Sequence, residues 1–204
     1  MILAVDTSLG TAVAVVGADG RTHAEASTAN ALGHAEVIGD LLRDVVAGRD
    51  DITHVVTGMG PGPFTGLRIG IAAARAFALG RGLPVVPVPS HFGPALRELE
   101  AGGTGPFAVV TDARRREVAV SVFDGLDADG LPRLVGETVL VPRIEVEAHL
   151  AGVRMVEVAE LAASDLARTA ARALDAGRAL AGPEPLYLRA PDVSLPGARK
   201  KVGT

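Results

Sequence analysis

Residues 2–28 read ILAVDTSLGTAVAVVGADGRTHAEAST, and this stretch decides the fold class because it holds three strand-like runs in close succession. The runs are ILAV (2–5), TAVAVV (11–16) and RTHAEAST (21–28). Asp19 and Gly20 separate the second run from the third, and Asp-Gly between two such runs is typical of a hairpin turn. The sequence therefore predicts that the chain begins with three antiparallel strands.

Helices and strands alternate after this start. Residues 33–48 carry apolar side chains at helical spacing and charged ones on the other face, which predicts an amphipathic helix. The next predicted elements are a buried strand at 52–58, a helix at 66–80, a strand at 85–88 and a helix from about Ser90.

A second structural unit is predicted after the stretch AGGTGP (101–106), which interrupts the composition sharply. Its predicted elements are a hairpin around Arg114 to Arg116, strands near 133–141 and 153–159, and a terminal helix at 161–177. This order is that of a ribonuclease-H-like α/β fold used twice. The N-terminal ribonuclease-H-like lobe is assigned to residues 1–100 and the smaller C-terminal α/β lobe to residues 101–204.

The composition of the 204 residues limits the classes of function. A formal net charge of −4 and an aromatic content of 3% argue against a freestanding nucleic-acid binder. The two small basic clusters, Arg114–Arg116 and Arg199–Lys201, are interpreted as solvated surface. The absence of cysteine excludes disulfides and thiolate zinc sites. Because the first apolar run is short and no stretch of eighteen apolar residues occurs, we expect a cytoplasmic protein with no membrane contact.

The loop GMGPGPFTGLRIG (58–70) leads into the second predicted helix, where backbone N–H groups can bind an anion. It matches neither standard nucleotide motif, because Leu67 and Arg68 follow Gly66 where a Walker loop needs Lys and then Ser or Thr. The turn after the first strand offers a carboxylate and hydroxyls that face phosphates and Mg²⁺ in actin-like folds, although an Asx turn is an equal alternative. The predicted vestigial nucleotide-binding residues are Asp6, Thr7, Ser8, Gly60, Gly62 and Thr65, with Thr65 also a candidate helix cap.

The spacing of potential catalytic and metal-ligating residues does not indicate an active site. The five histidines include no pair spaced as helical metal ligands, and no Gly-x-Ser-x-Gly elbow occurs. Ser90 and His91 are neighbours in sequence rather than a positioned nucleophile and base. We therefore predict no catalytic residue, no metal ligand and no cofactor.

The second predicted helix carries small residues at every fourth position, Gly66, Gly70, Ala74 and Ala78. Such a stripe lets another helix approach closely. Two interpretations stay open: the stripe packs under the sheet of its own lobe, or it forms a subunit interface.

These segments together resemble the TsaB (YeaZ-type) family, the dimerisation subunit of the bacterial system that makes threonylcarbamoyladenosine in tRNA. The segments that carry the resemblance are ILAVDTS, the His34-x-Glu36 helix entry, GPGPFTGLRIG with its alanine-rich helix, TDARRREV (111–118) and YLR (187–189). Two positions depart from the family pattern: Pro63 stands where Ser is common, and Ala35 where His-Ser-Glu is usual. The family's serine hydroxyl groups are absent at these two positions, so the resemblance assigns them no role in this chain.

The resemblance implies an α/β fold of the actin-like (ASKHA), ribonuclease-H-like class, with two lobes of mixed sheet flanked by helices. It also implies a non-catalytic, activating subunit that binds TsaD through its N-terminal lobe. TsaD transfers the threonylcarbamoyl group from threonylcarbamoyl-adenylate to the exocyclic amine of the adenosine 3′ of the anticodon. The ATPase TsaE joins the complex, and tRNA is bound only through the complex. Without TsaD, a homodimer and a monomer both stay open. The predicted partner-binding residues are Gly66, Arg68, Gly70, Ala74, Ala78, His34, Val37 and Leu41.

Two alternatives remain at this point. An actin-like small-molecule kinase or ATPase needs phosphate-binding turns in both lobes, and a glycoprotease-type peptidase needs a metal site or an activated nucleophile.

Overall fold

The computed structural model describes residues 1–29 and 33–189, which form two β-sheets with helices on their faces. The basic cluster Arg199–Lys201 lies outside the described residues. The strands are β1 (Ile2–Asp6), β2 (Thr11–Val16), β3 (Thr22–Thr28), β4 (His54–Gly58), β5 (Val85–Val88), β6 (Phe107–Asp112), β7 (Glu117–Leu126), β8 (Pro132–Pro142) and β9 (Arg154–Val158). The helices are α1 (His34–Val46), α2 (Phe64–Arg81), α3 (Phe92–Glu100), α4 (Val146–Leu150) and α5 (Ala163–Asp175), and a 3₁₀ turn spans Arg143–Glu145.

The first sheet has the strand order β3-β2-β1-β4-β5. The antiparallel start is confirmed: β2 pairs with β1 and β3, while β4 and β5 continue the sheet in parallel with β1. Both β1 and β2 are buried along their whole length. Their uninterrupted apolar runs therefore follow from a sheet that is covered on both faces.

Alternate residues of β1 face two different cores, because successive side chains of a strand point to opposite faces. Leu3 and Val5 pack with Ile38 of α1 and with Ala74 of α2. The opposite face of the first sheet packs against α3, α5 and the second sheet. Its Ile2 and Ala4 share that core with Phe107 and Phe123 of the second sheet and with Leu166 of α5.

The second sheet has the order β8-β7-β6-β9, with β6 and β7 forming the predicted antiparallel hairpin and β9 running parallel to β6. The hairpin turn contains three consecutive arginines with positive φ, 62° at Arg114, 54° at Arg115 and 62° at Arg116. A left-handed backbone costs an L-residue roughly 1–2 kcal/mol, so three in succession make a strained turn.

Two differences from the predicted elements have physical reasons. α2 begins at Phe64, two residues earlier than predicted, because Pro63 supplies an extended N-cap with φ −61° and the Leu67 N–H donates to the Pro63 carbonyl. Helix α4 was not predicted. It is only one turn long, and it buries Val146 and Leu150 against the outer face of the second sheet.

The predicted fold class is confirmed: two mixed sheets flanked by helices make an α/β structure. Helix α5, from the second half of the chain, packs on β1 and β2 of the first sheet. The lobe boundary at residue 100 stays a prediction. Within the described residues, no helix combines the length and the apolar character that crossing a membrane requires.

Candidate functional site

The turn after β1 is closed by its own hydrogen bonds. Asp6 is buried, and its Oδ1 accepts the Ser8 N–H at 2.7 Å while its Oδ2 accepts the Ser90 hydroxyl at 2.5 Å. The Ser90 Oγ lies 2.7 Å from the Ser8 Oγ and also accepts the Gly60 N–H at 3.0 Å. One buried network thus joins the ends of β1 and β5 to the glycine-rich loop.

Most of the predicted vestigial nucleotide-binding residues lie together at the β1 turn and the glycine-rich loop, whereas Thr65 lies apart from them. Gly60 and Gly62 do lie beside the β1 turn, since a Cβ on Gly62 would come within 2.8 Å of the Ser8 Cα. The buried Thr7 hydroxyl donates to the Gly66 carbonyl at 2.8 Å. Thr65 is exposed inside α2 and caps nothing, because the N-cap residue is Pro63 and has no side-chain cap bond. The candidate cap is therefore wrong.

Ser90 was not recognised as part of this network. Ser90 is 84 residues from Asp6 in the sequence, and no local sequence pattern indicates that the two side chains are in contact. The neighbouring His91 has different partners: its ring nitrogens lie 2.7 Å from the Ser121 Oγ and 2.9 Å from the Thr111 Oγ1. Burial lowers the pKa of His91 to about 3, so the ring is neutral and holds the start of α3 against β6 and β7 of the second sheet by hydrogen bonds.

The carboxyl of Asp6 makes stability depend on pH. Burial raises its pKa above the ordinary 3.8, although hydrogen bonds from Ser90 and Ser8 oppose the rise. The folded protein therefore holds this proton more tightly than the unfolded chain, and ionisation of Asp6 lowers the free energy of unfolding as pH rises from 3.8 to the higher folded pKa. Each pKa unit of difference corresponds to about 1.4 kcal/mol.

We expect Asp6→Asn to be more stable than the wild type at pH 7, because the amide imitates the protonated carboxyl and can donate to Ser90 Oγ. The advantage should grow from pH 4 upward and level off above the folded pKa of Asp6. Urea unfolding at several pH values measures it, with Asp51→Asn, which removes an exposed carboxyl, as the control. A stability difference that does not change with pH would contradict this account.

The small-residue stripe of α2 faces the interior of the protein. Ala74 and Ala78 belong to the core between α2 and the first sheet. A Cβ on Gly70 would lie 2.2 Å from the Thr7 Oγ1, and one on Gly66 would lie 2.9 Å from the His34 Nε2. The structure thus favours core packing for these four residues and corrects their assignment to a partner surface. The pattern alone could not separate the two, because α2 is apolar on opposite sides.

The other predicted partner-binding residues have different positions. His34 is buried, with its Nδ1 2.8 Å from the Thr11 Oγ1, so it fixes the start of α1 against β2. Val37 and Leu41 are half-buried on α1. Arg68 is exposed and lies 3.8 Å above the Phe64 ring, and its Nε donates to the Tyr187 hydroxyl at 3.0 Å.

A cleft of about 280 Å³ opens between the glycine-rich loop and the second sheet. Gly62 and Phe64 line one wall, and Arg114 and Arg115 of the strained turn line the other. Tyr187 lines it as well, within a segment fixed by the Leu186 N–H, which donates to the Met59 carbonyl at 2.7 Å. The YLR segment and the arginine turn are distant in sequence and meet here.

Metal-ligating residues do not gather in the part of the chain that the structure describes: no group of three or more His, Asp or Glu side chains there could hold a metal ion.

The comparisons with known proteins agree with this fold. The model of the TsaD family, tRNA N6-adenosine threonylcarbamoyltransferase, matches residues 24–146. An uncharacterised protein of Mycobacterium leprae is 40% identical over 126 residues, 58% of this chain and 34% of that protein. The tRNA threonylcarbamoyladenosine biosynthesis protein TsaB of Escherichia coli is 31% identical over 121 residues, 57% of this chain and 52% of that protein. The matched part of the chain therefore spans about a third to a half of these curated relatives.

The structure of YeaZ from Pseudomonas aeruginosa superposes with a TM-score of 0.73 at 24% identity, covering 92% of this chain and 99% of that one. This similarity shows a common fold over nearly all of both chains. The chain belongs to the family described by the TsaD model, as a protein of the TsaB, or YeaZ, type.

Proposed function

We propose that the protein is a non-catalytic, activating subunit that binds TsaD and takes part in the synthesis of threonylcarbamoyladenosine in tRNA, with TsaE joining the complex. In the absence of TsaD, the same surface binds a second copy of the chain. The proposal rests on the membership of the family together with one observation about α2.

That observation is an apolar face on the outer side of α2. Ile69, Ala72, Ala76 and Leu79 follow each other at spacings of three, four and three residues, which places them along one line of the helix. Leu79 is 85% exposed, and Ala72 and Ala76 are exposed as well. Two small exposed residues beside the exposed Leu79 suit close packing with another helix, and Ile69 flanks them half-buried at the edge of the core.

Helix α1 extends this surface. It packs against α2, and Val37 and Leu41 are half-buried along it. Two neighbouring helices that expose apolar side chains can form a four-helix bundle with two helices of a partner. The partner surface that we propose, called here the outer α1–α2 face, consists of Val37, Leu41, Ile69, Ala72, Ala76 and Leu79.

The geometry gives a kinase or ATPase less support. The Asp6 carboxylate would have to face phosphates and their metal ion, but it is buried and accepts hydrogen bonds from Ser8 and Ser90. The Gly58 backbone closes the same space, since a Cβ there would lie 1.8 Å from the Asp6 Oδ2. The geometry does not support a peptidase either, because Ser90 is buried and the His91 ring contacts Ser121 rather than Ser90.

We expect Leu79→Asp to weaken binding to TsaD by about a hundredfold or more while the melting temperature stays unchanged. An unpaired carboxylate in a desolvated helix contact costs several kcal/mol, whereas at an exposed position of the free subunit it costs little. Calorimetric titration with TsaD from the same organism measures the affinity. In a reconstituted reaction with TsaD, TsaE and threonylcarbamoyl-adenylate, tRNA modification should fall in parallel.

Ile144→Asp is the matched control, because Ile144 is 92% exposed in the 3₁₀ turn near the second sheet, outside the proposed surface. It should bind TsaD as the wild type does. If folded Leu79→Asp binds TsaD with wild-type affinity, the outer α1–α2 face is not the partner surface. Transfer of threonylcarbamoyl to tRNA by the isolated protein would contradict the non-catalytic role.

A further inference from the structure

Residues 178–189, called here the strap, follow α5 and reach the cleft between the glycine-rich loop and the second sheet. The strap begins on the second sheet, where Arg178 forms an ion pair with Asp127 in the turn between β7 and β8. It also ends on that sheet, where Arg189 forms an ion pair with Glu117 at the start of β7. Between these two ends the strap is bound to the other side of the cleft.

The middle of the strap is held by α2. Arg75 of α2 donates to the Pro183 carbonyl at 2.5 Å, and Arg68 donates to the Tyr187 hydroxyl at 3.0 Å. Ala181 and the Tyr187 ring also pack against a small buried cluster of the glycine-rich loop and α2. The members of this cluster are Met59, Leu67 and Ile71. The strap therefore connects α2 to the second sheet across the cleft.

Direct packing does not make this connection. In the described part of the chain, α2 packs against α1, β1, β4 and β5, and no comparable packing joins it to a strand of the second sheet. The two sheets meet instead through the core that contains Phe107 and Phe123. Thr111 and Ala119, which line the cleft, lie further along the same face of the second sheet. The cleft is thus bounded by the shared core at one end and crossed by the strap at the other.

The strap is held less firmly than the core. Phe107 and Phe123 are completely buried, whereas every residue of the strap is half-buried or exposed. The ion pairs at its two ends are partly exposed, and such pairs contribute little to stability. Segments with few buried apolar contacts open at a lower free energy than the core of the same protein. The strap can therefore lift while both sheets stay folded.

We propose that the strap is a latch that controls the width of the cleft. Seated on α2, it holds the glycine-rich loop and the turn Arg114–Arg116 at the separation described above. When it lifts, the second sheet turns away from α2 about the shared core, which is a hinge motion. Lifting also removes Tyr187 and Leu188 from the wall of the cleft and opens the cleft to solvent. The latch belongs to the isolated chain, so its test does not depend on partner binding.

Hydrogen–deuterium exchange of the isolated full chain tests whether the strap lifts by itself. The Leu186 amide, which donates to the Met59 carbonyl, should exchange at least about a hundredfold faster than the amides of β2, because its exchange needs a local opening and not global unfolding. If the Leu186 amide exchanges as slowly as β2, the strap opens only when the whole protein unfolds, and the proposal is overturned.

Pulsed electron–electron double resonance tests whether the strap sets the width of the cleft. The chain has no cysteine, so spin labels at Thr65→Cys and Ile144→Cys, two exposed positions on α2 and directly after β8, report a single distance. Combining Tyr187→Ala with Arg189→Ala removes the ring contact and the ion pair of the strap. The distance distribution should then broaden, and its mean should increase by more than about 2 Å, while the circular dichroism of the folded protein is retained.

Arg133→Ala in the same labelled protein is the control. It also removes an arginine ion pair, but Arg133 pairs with Asp124 on the second sheet, away from the strap. Its distance distribution should equal that of the wild type. An unchanged distribution in the folded double variant would show that the strap does not hold the cleft. Loss of secondary structure in the double variant would overturn the proposal as well, because a latch must be able to lift without unfolding the sheets.

Discussion

Ala74→Arg should leave the protein unfolded or insoluble, whereas Ala72→Arg, two residues away on the same helix, should fold normally. Ala74 is 0% exposed and packs in the core with Leu3 and Val5, while Ala72 faces solvent. Overpacking costs typically about 1–3 kcal/mol and an unpaired buried charge several more, which together approach the whole stability of a typical domain. Soluble yield and thermal melting of the two variants measure the difference.

The pair of variants also separates the two interpretations of the small-residue stripe. Ala72→Arg should lose affinity for TsaD while remaining folded, because Ala72 belongs to the outer α1–α2 face. If Ala74→Arg folds with a wild-type melting temperature but no longer binds TsaD, the stripe itself is the interface. Ala74 is then not part of the protein's core in solution.

Gly58→Ala should lower the free energy of unfolding by about 3–5 kcal/mol, a large effect for one added methyl group. The ideal Cβ would lie 1.8 Å from the Asp6 Oδ2 and 2.9 Å from the Ser90 Oγ, so the methyl group must displace the buried carboxylate. The cost combines overpacking with the loss of hydrogen bonds to a buried charged or polar group. Urea unfolding monitored by circular dichroism measures it.

Gly39→Ala is the matched control for this substitution. Gly39 is exposed in the middle of α1, and a Cβ there meets nothing within 4 Å. Alanine favours a helix interior by about 1 kcal/mol over glycine, so this variant should be more stable than the wild type. A Gly58→Ala protein with wild-type stability would mean that the Asp6–Ser90 network tolerates displacement, and its assigned role would be wrong.

The order and type of most elements could be predicted from the sequence because local patterns determine them. The hairpin at Asp19-Gly20 and the apolar runs of β1 and β2 are local signals, and the structure confirms the pairing that they imply. Helix α4 has only two buried apolar residues, Val146 and Leu150, one turn apart. Two residues do not establish a period, so the sequence pattern could not distinguish this turn from a loop.

The candidate site was less predictable, because its contacts join residues that are far apart in the chain. The bond from Ser90 to Asp6 and the meeting of Tyr187 with Phe64 depend on how the elements pack. For α2 the difficulty was different. Apolar residues occupy opposite sides of that helix, and residue spacing cannot indicate which side the sheet will cover.

Helix α5 has a consequence for the order in which the protein can fold during synthesis. Its residues Leu166, Ala167 and Ala170 cover the face of the first sheet that carries Ile2 and Ala4. The ribosome synthesises β1 and β2 long before α5. The apolar face of the first sheet therefore remains exposed to solvent while about 150 further residues are added. Contacts of such long sequence separation form slowly. The nascent first sheet is therefore a surface that chaperones can bind, and the sheet acquires its full core only when α5 has left the ribosome.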